Sequence, residues 1–433
     1  MNEPVINVGV LIASEISFEL NGWYRCNNKN YTGLLRANRK GNEIGIGEES
    51  YEEWYFEPLD PSSSVELHEV VIGVDFHWER HETQRFAGAI RLLMEKGKIR
   101  VINRISTEAY LSSVISSEMS AQASLELLKA HAVISRSWLL YPLLNNQSGE
   151  GKEAVCIQTV HRIQKWYERD AHVHFDVCAD DHCQRYQGIT RAGTPQVNEA
   201  IEQTRGEVLM YDKQICDARY YKACGGATEK FSSCWADKEF AYLQPVLDQD
   251  SDVPIPDLTN EANAREWILS SPPAFCNTSD TQVLSQVLNN YDQETTDFYR
   301  WKVRYSQAEL SGLLHRKSGY DFGTVLNLEA VKRGPSGRII ELKITGTQKT
   351  ITVGKELEIR KWLSESHLYS SAFVVESLPD TGDVPEEFIL HGAGWGHGVG
   401  LCQIGAAVMG EQGYSYQQIL THYFSHAEIT KIY

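Results

Sequence analysis

No run of about eighteen apolar residues occurs in the sequence, which leaves no candidate for a membrane-spanning helix. No apolar leader opens it either. Met1-Asn2-Glu3-Pro4 leads straight into the strand-like run Val5-Ile6-Asn7-Val8-Gly9-Val10-Leu11-Ile12, so the sequence as given is read as carrying no signal peptide. Positive charge is scarce: 41 Lys plus Arg stand against 58 Asp plus Glu, a net charge of -17. Such a chain repels polyanions, which argues against nucleic acid and for a neutral or positively charged ligand. Cysteine is thin too. The nine (Cys26, Cys156, Cys178, Cys183, Cys216, Cys224, Cys234, Cys276 and Cys402) are too irregularly spaced for a disulfide scaffold, and an odd number leaves at least one unpaired. Internal repeats and low-complexity tracts are lacking. What is present is a 433-residue chain, 42% hydrophobic, long enough for sizeable globular cores.

Residues 1–105 read as a β-rich N-terminal part of short strands and turns. From about 107 the period turns helical, with Tyr110, Leu111, Val114 and Ile115 on one stripe, and a second helical run spans Ser124 to Leu144. Residues 106–247 thus hold a helix pair, a polar Cys/His loop and a Gly-Gly segment. Residues 248–310 form an acidic, Pro-punctuated insertion with helix expected at 262–269 and 281–291. Residues 311–433 bring hairpins, with a turn at Gly334-Pro335-Ser336-Gly337, and a glycine-rich end that completes one catalytic domain with 106–247. The expected class is α+β: mixed strands, a central helix pair carrying an acidic residue, loops and an insertion.

On a helix, Glu118 lies four residues after Val114, three after Ile115 and seven after Leu111, so its carboxylate falls on the apolar stripe and points inward. Desolvation there raises a carboxyl pKa, which suits a general acid. The plainer alternative is a structural ion pair with Lys129 or Arg136. Between His172 and Cys183, the chain packs His172, His174, Cys178, His182 and Cys183 into twelve residues, a zinc-like density that matches no standard finger. Its alternative is a loop of incidental histidines with a Cys178–Cys183 disulfide. Gly225-Gly226 lets a backbone approach a ligand or simply turn. The alternating glycines of Gly392 to Gly400 match neither a dinucleotide fingerprint nor a P-loop. They would leave one face of an extended segment bare for a flat sugar, with Trp395, His397 and Gln403 as contacts, or mark a close strand crossing around a buried His397.

Tyr110-Leu111-Ser112-Ser113-Val114-Ile115-Ser116-Ser117-Glu118-Met119 and Leu125-Glu126-Leu127-Leu128-Lys129-Ala130-His131-Ala132-Val133-Ile134-Ser135-Arg136-Ser137 resemble the helix pair YLxxVVxxEM and EALKAQAVAARTY of the stage II sporulation protein D and LytB amidase enhancer family. Lys222-Ala223-Cys224-Gly225-Gly226-Ala227-Thr228-Glu229 resembles its Ser-Gly-Gly-x-Thr-Glu stretch, with Cys224 for serine. Gly394 to Ala406 resembles GxGHGVGMSQYGA, with Leu401-Cys402-Gln403-Ile404 for Met-Ser-Gln-Tyr.

The resemblance implies a peptidoglycan lytic transglycosylase with Glu118 as catalytic acid. It nominates Tyr110, Lys129, Arg136, Gly225, Gly226, Thr228, Glu229, Trp395, His397 and Gln403 around the substrate. It also implies a zinc ion on the Cys/His loop, held by Cys178, His182 and Cys183 with His172 or His174. A four-ligand, structural ion is expected there, and no organic cofactor. Expected partners are glycan strands and an N-acetylmuramoyl-L-alanine amidase, and the expected location is the cell envelope. One carboxylate suffices for the chemistry, because the muramic acid 6-hydroxyl replaces water as nucleophile. Two competing readings stand beside it: a non-catalytic wall-binding amidase enhancer, and a zinc hydrolase built on the Cys/His loop.

Overall fold

The computed structural model describes residues 2–72, 80–120, 122–145, 156–166, 172–180, 183–191, 193–251, 253–287, 297–379 and 384–433. Helices and strands are mixed along the chain, consistent with the α+β expectation. Among the described residues no helix is long and apolar enough to cross a membrane. Two compact units form, and neither is continuous in sequence. One takes residues 1–121, 169–207 and 431–433; the other takes 122–168 and 208–430.

The first unit is built on an eleven-stranded sheet. Val5–Ala13 pairs antiparallel with Lys98–Ser106, which pairs in turn with Ala89–Glu95. Ile6 and Val8 alternate into the core, and a bulge between Gly9 and Leu11 shifts the alternation so that Leu11 is buried as well. Elsewhere in the sheet, Trp54 stacks on Phe56 at 5.7 Å and Phe18 meets Phe56 edge-on at 5.6 Å. The Lys98–Ser106 strand runs directly into helix α1 (Thr107–Glu118). The start of α1 is tied to both chain ends. The Thr107 amide and hydroxyl donate to the Pro4 carbonyl, while Glu108 accepts from the Gly206 amide and the Tyr433 hydroxyl.

The second unit opens with helix α2 (Leu125–Leu144), capped by the Ser124 hydroxyl accepting from the Leu127 amide. The expected hairpin is present: Val325–Arg333 pairs antiparallel with Ile339–Gly346, and the Gly334 amide donates to the Arg338 carbonyl at 2.8 Å. These strands belong to a five-stranded sheet. Arg300–Ser306, Glu387–Ala393 and Phe373–Leu378 form a three-stranded one. Leu310, Phe322, Ile344, Trp362 and Leu390 share the core these elements enclose. Within 248–310, helices cover Glu261–Leu269 and Thr281–Val287, and residues 288–291 of the longer expected helix lie outside the described ones.

The glycine-rich end corrects one expectation. After the Glu387–Ala393 strand the chain is not extended, because Gly394, Gly396, Gly398 and Gly400 all adopt positive φ, from 73° to 98°. The period-two glycines therefore serve backbone conformations that other residues avoid, rather than a bare flat face. Close approach adds to this: a Cβ at Gly400 would stand 2.1 Å from the Arg219 carbonyl oxygen.

Candidate functional site

In the first unit, α1 buries one stripe completely, with Leu111, Val114 and Ile115 at 0% exposure. Its Tyr110, Ser113 and Ser117, spaced as neighbours on a helix face, meet the segment just after Cys183. Tyr110 stacks on Tyr186 at 5.1 Å and its hydroxyl donates to Gln184. The Gln187 amide donates to the Ser113 hydroxyl, and the Ser117 hydroxyl lies 3.5 Å from the Gln187 side-chain oxygen. Tyr186 is anchored by donating to Asn103 at 2.6 Å. Glu118 is the last residue of α1 and is half-buried, not buried as its spacing predicted. The cause is local. Met119 turns the backbone extended (φ -116°, ψ 152°), so the next helical turn that would roof the carboxylate does not form. Tyr110, nominated as a substrate contact, is a fully buried packing residue here.

His172, Cys178 and Cys183 converge in the same unit, and each offers one ligand atom, all within 4.8 Å of one another. All three are partly exposed. Val177–Cys178 pairs parallel with Val8 and Gly9, and Asp176 accepts from the Asn7 amide and side chain. That docking fixes the loop on the sheet. The His172 imidazole stacks on Phe175 at 4.4 Å, and the Cys178 amide donates toward the Cys183 sulfur at 3.4 Å, an arrangement that favours a thiolate. His174 is exposed and not in the group, while His182 lies outside the described residues. Cys178 and Cys183 are not joined in a disulfide.

The remaining nominated residues belong to the second unit. Lys129 pairs with Glu126 one turn back on α2, at 2.7 Å. Arg136 is fully buried and donates to the Ala132 carbonyl. The two glycine segments zip together: Tyr220–Tyr221 pairs parallel with Leu401–Cys402, and Ala223 bridges Trp395. Trp395 has aromatic neighbours at 4.8 Å (Phe298) and 4.4 Å (Tyr369). His397 accepts from the Val399 amide at Nδ1, which leaves Nε2 as the donor to the Tyr220 carbonyl. Burial, together with the charges of Arg219, Arg338 and Arg360, pushes its pKa well below the usual histidine range, so the ring is neutral.

Glu229 is buried and accepts from the Lys230 amide, the Ser233 hydroxyl, and the amide and hydroxyl of Ser336. Burial raises its pKa, against the lowering effect of these donors and of Arg338. Thr228 is buried and its hydroxyl accepts from the Val246 amide. Arg338, which the sequence reading did not single out, is fully buried. It donates to the carbonyls of Cys224 and Gly396 and to the Ser336 hydroxyl, holding both glycine segments. Gln403 is buried against His131.

Comparison with known proteins bears on the first of these regions most directly. The stage II sporulation protein family model matches residues 95–211, which include all of α1, α2 and the Cys/His loop. Over these residues the chain is similar to the stage II sporulation protein family. A second model, a domain of unknown function, matches residues 229–400. Stage II sporulation protein D of Bacillus amyloliquefaciens is 23% identical over 76% of this chain and 76% of its own length. The amidase enhancer of Bacillus subtilis is 24% identical over 74% of this chain, but only 40% of that protein is covered. An uncharacterised protein of Brachyspira hyodysenteriae is 23% identical over 92% of this chain and 82% of its own length.

The second unit also holds a group that sequence reasoning missed. Cys224, Asp248, Cys276 and Cys402 are all buried, with ligand atoms within 4.8 Å of one another. The readable signal was that Cys224 and Cys402 both stand where the resembling motifs carry serine.

Proposed function

We propose that the chain is a peptidoglycan lytic transglycosylase that cleaves bonds between N-acetylmuramic acid and N-acetylglucosamine in peptide-stripped glycan strands, with Glu118 as the acid and then the base. The observation that supports this reading most is the placement of Glu118: a half-buried carboxylate at the open end of α1, inside the matched domain, on a helix whose adjacent face is pinned by buried hydrogen bonds. A catalytic acid needs both properties, access to substrate and a fixed support. Glu118 protonates the glycosidic oxygen as the C1–O bond breaks and the N-acetylglucosamine end leaves. Its carboxylate then takes the proton of the muramic acid 6-hydroxyl as O6 bonds to C1, closing a 1,6-anhydro ring. No water is consumed, and Glu118 ends protonated as it began.

His172, Cys178 and Cys183 fit one zinc ion, two sulfurs and a ring nitrogen being an ordinary donor set. The ion would supply rigidity to the loop that grips α1 through Gln184, Tyr186 and Gln187. The site of action is the cell envelope, where the substrate lies. Digesting amidase-treated glycan strands and analysing the products by mass spectrometry tests the reading. 1,6-anhydro ends that disappear with Glu118→Gln support it, and full activity of that variant sinks it. A second reading, stimulation of an amidase without cleavage, is favoured by the Bacillus subtilis relative named amidase enhancer. It predicts amidase stimulation that Glu118→Gln leaves intact.

A further inference from the structure

We propose that Cys224, Asp248, Cys276 and Cys402 bind one zinc ion in the core of the second unit, a structural site distinct from the Cys/His loop. Their four ligand atoms lie within 4.8 Å of one another, and all four residues are buried. Tetrahedral zinc with thiolate bonds of about 2.3 Å sets its ligand atoms roughly 3.5–3.8 Å apart, inside the 4.8 Å that bounds this cluster. The Cys224 and Cys276 sulfurs stand 3.3 Å apart.

The surroundings are those of a metal site. Thiolates bound to zinc are commonly stabilised by backbone amides, and here the Gly226 amide donates to the Cys224 sulfur and the Cys224 amide to the Cys402 sulfur. The tight turn that brings the Gly226 amide back to Cys224 passes through positive φ at Gly225 (79°), and Gly226 (109°) continues in the same region. Asp248 is oriented at both oxygens, accepting from the Tyr423 hydroxyl at 2.6 Å and the Cys276 amide at 2.8 Å, which leaves lone pairs free for a ligand. No lysine, arginine or histidine forms an ion pair with Asp248 among the described residues, so a buried carboxylate lacks a protein counter-charge that a divalent cation would provide. Gly405 makes room for this arrangement, since a Cβ there would meet the Tyr423 hydroxyl at 2.3 Å and Asp248 at 2.4 Å.

The chain positions strengthen the case. Cys224 and Cys402 replace serines in two separate resembling motifs, and Cys276 comes from the 248–310 stretch that the resemblance does not cover. Three thiolates and a carboxylate close a four-coordinate shell, which makes the ion structural rather than catalytic and selects zinc over harder cations. It would cross-link the two glycine segments to the 248–310 stretch, where loop-closure entropy otherwise opposes docking.

The test removes the other cluster first. Cys178→Ser/Cys183→Ser protein of full length should retain one zinc per chain by inductively coupled plasma mass spectrometry. Adding Cys224→Ser/Cys402→Ser, the serines of the resembling motifs, should bring that to zero. Equal zinc in the two proteins overturns the proposal. In crystals of the unsubstituted protein, an anomalous peak at the zinc edge should fall among the four ligand atoms. Absence of that peak, or a Cys224–Cys276 disulfide shown by two fewer thiols in unreduced denatured protein, overturns it as well. Lytic activity is read separately through Glu118, so failure here leaves the proposed reaction standing.

Discussion

The two metal-capable clusters differ in burial and in ligand count. His172, Cys178 and Cys183 are three partly exposed residues on a loop at the edge of a sheet, beside a helix that ends in a half-buried acid. Cys224, Asp248, Cys276 and Cys402 are four buried residues inside a core. An open group next to accessible chemistry tolerates solvent and change, whereas a closed group must satisfy every polar atom from within. Glu118 and Glu229 repeat the contrast. The first ends a helix; the second takes four hydrogen bonds and is sealed behind the glycine segments.

Four measurements break or sharpen that contrast. Glu118→Gln should lower the rate of anhydro-sugar formation by about 10²–10⁴-fold, the usual worth of an acid–base group, while the melting temperature stays within error. A large loss of stability would place Glu118 among the scaffold residues instead. Arg338→Met should destabilise the second unit by about 3–5 kcal/mol in denaturant unfolding, because it strands the carbonyls of Cys224 and Gly396 and leaves Glu229 buried without its nearby cation.

His131 should govern acid sensitivity of the same unit. Burial, helped by the charge of Lys222, presses its pKa down to about 3 from 6.5. Because the folded value is depressed, the unfolded chain binds the extra proton between those limits. The stabilisation is full above pH 6.5 and is lost as pH falls toward 3. His131→Gln, the residue of the resembling motif, should remove on the order of 2–3 kcal/mol of stability change between pH 7 and 4 in pH-dependent unfolding. The smallest effect belongs to Lys129→Ala, which breaks the Glu126 pair and the cation–π contact with Tyr416 and should cost less than about 1 kcal/mol. A fall in glycan affinity with unchanged stability would return Lys129 to the substrate contacts.

Much of the local architecture was legible because it is written in short-range pattern. The stripe of Leu111, Val114 and Ile115, the helical run from Ser124 and the Gly334 to Gly337 turn each depend on residues within a few positions of one another. Glu118 was placed on its helix correctly, yet its exposure was misjudged, since periodicity does not say where a helix stops. The glycines at 394 to 400 were noticed for their spacing, but their function in positive-φ turns appears only from backbone angles. Trp395, Thr228, Glu229 and Gln403 were singled out by motif, and their neighbours emerged only once the strands around them had paired.

By itself the sequence determined the helices, the hairpin, the absence of a spanning helix, the family resemblance and the density of ligands from His172 to Cys183, all properties carried by neighbouring residues. Tertiary structure alone decided which of those ligands converge, that Arg338 binds two distant glycine segments, and that Cys224, Asp248, Cys276 and Cys402 meet. Those facts depend on chain segments brought together by burial and strand pairing, and no spacing in a linear chain encodes such a meeting point.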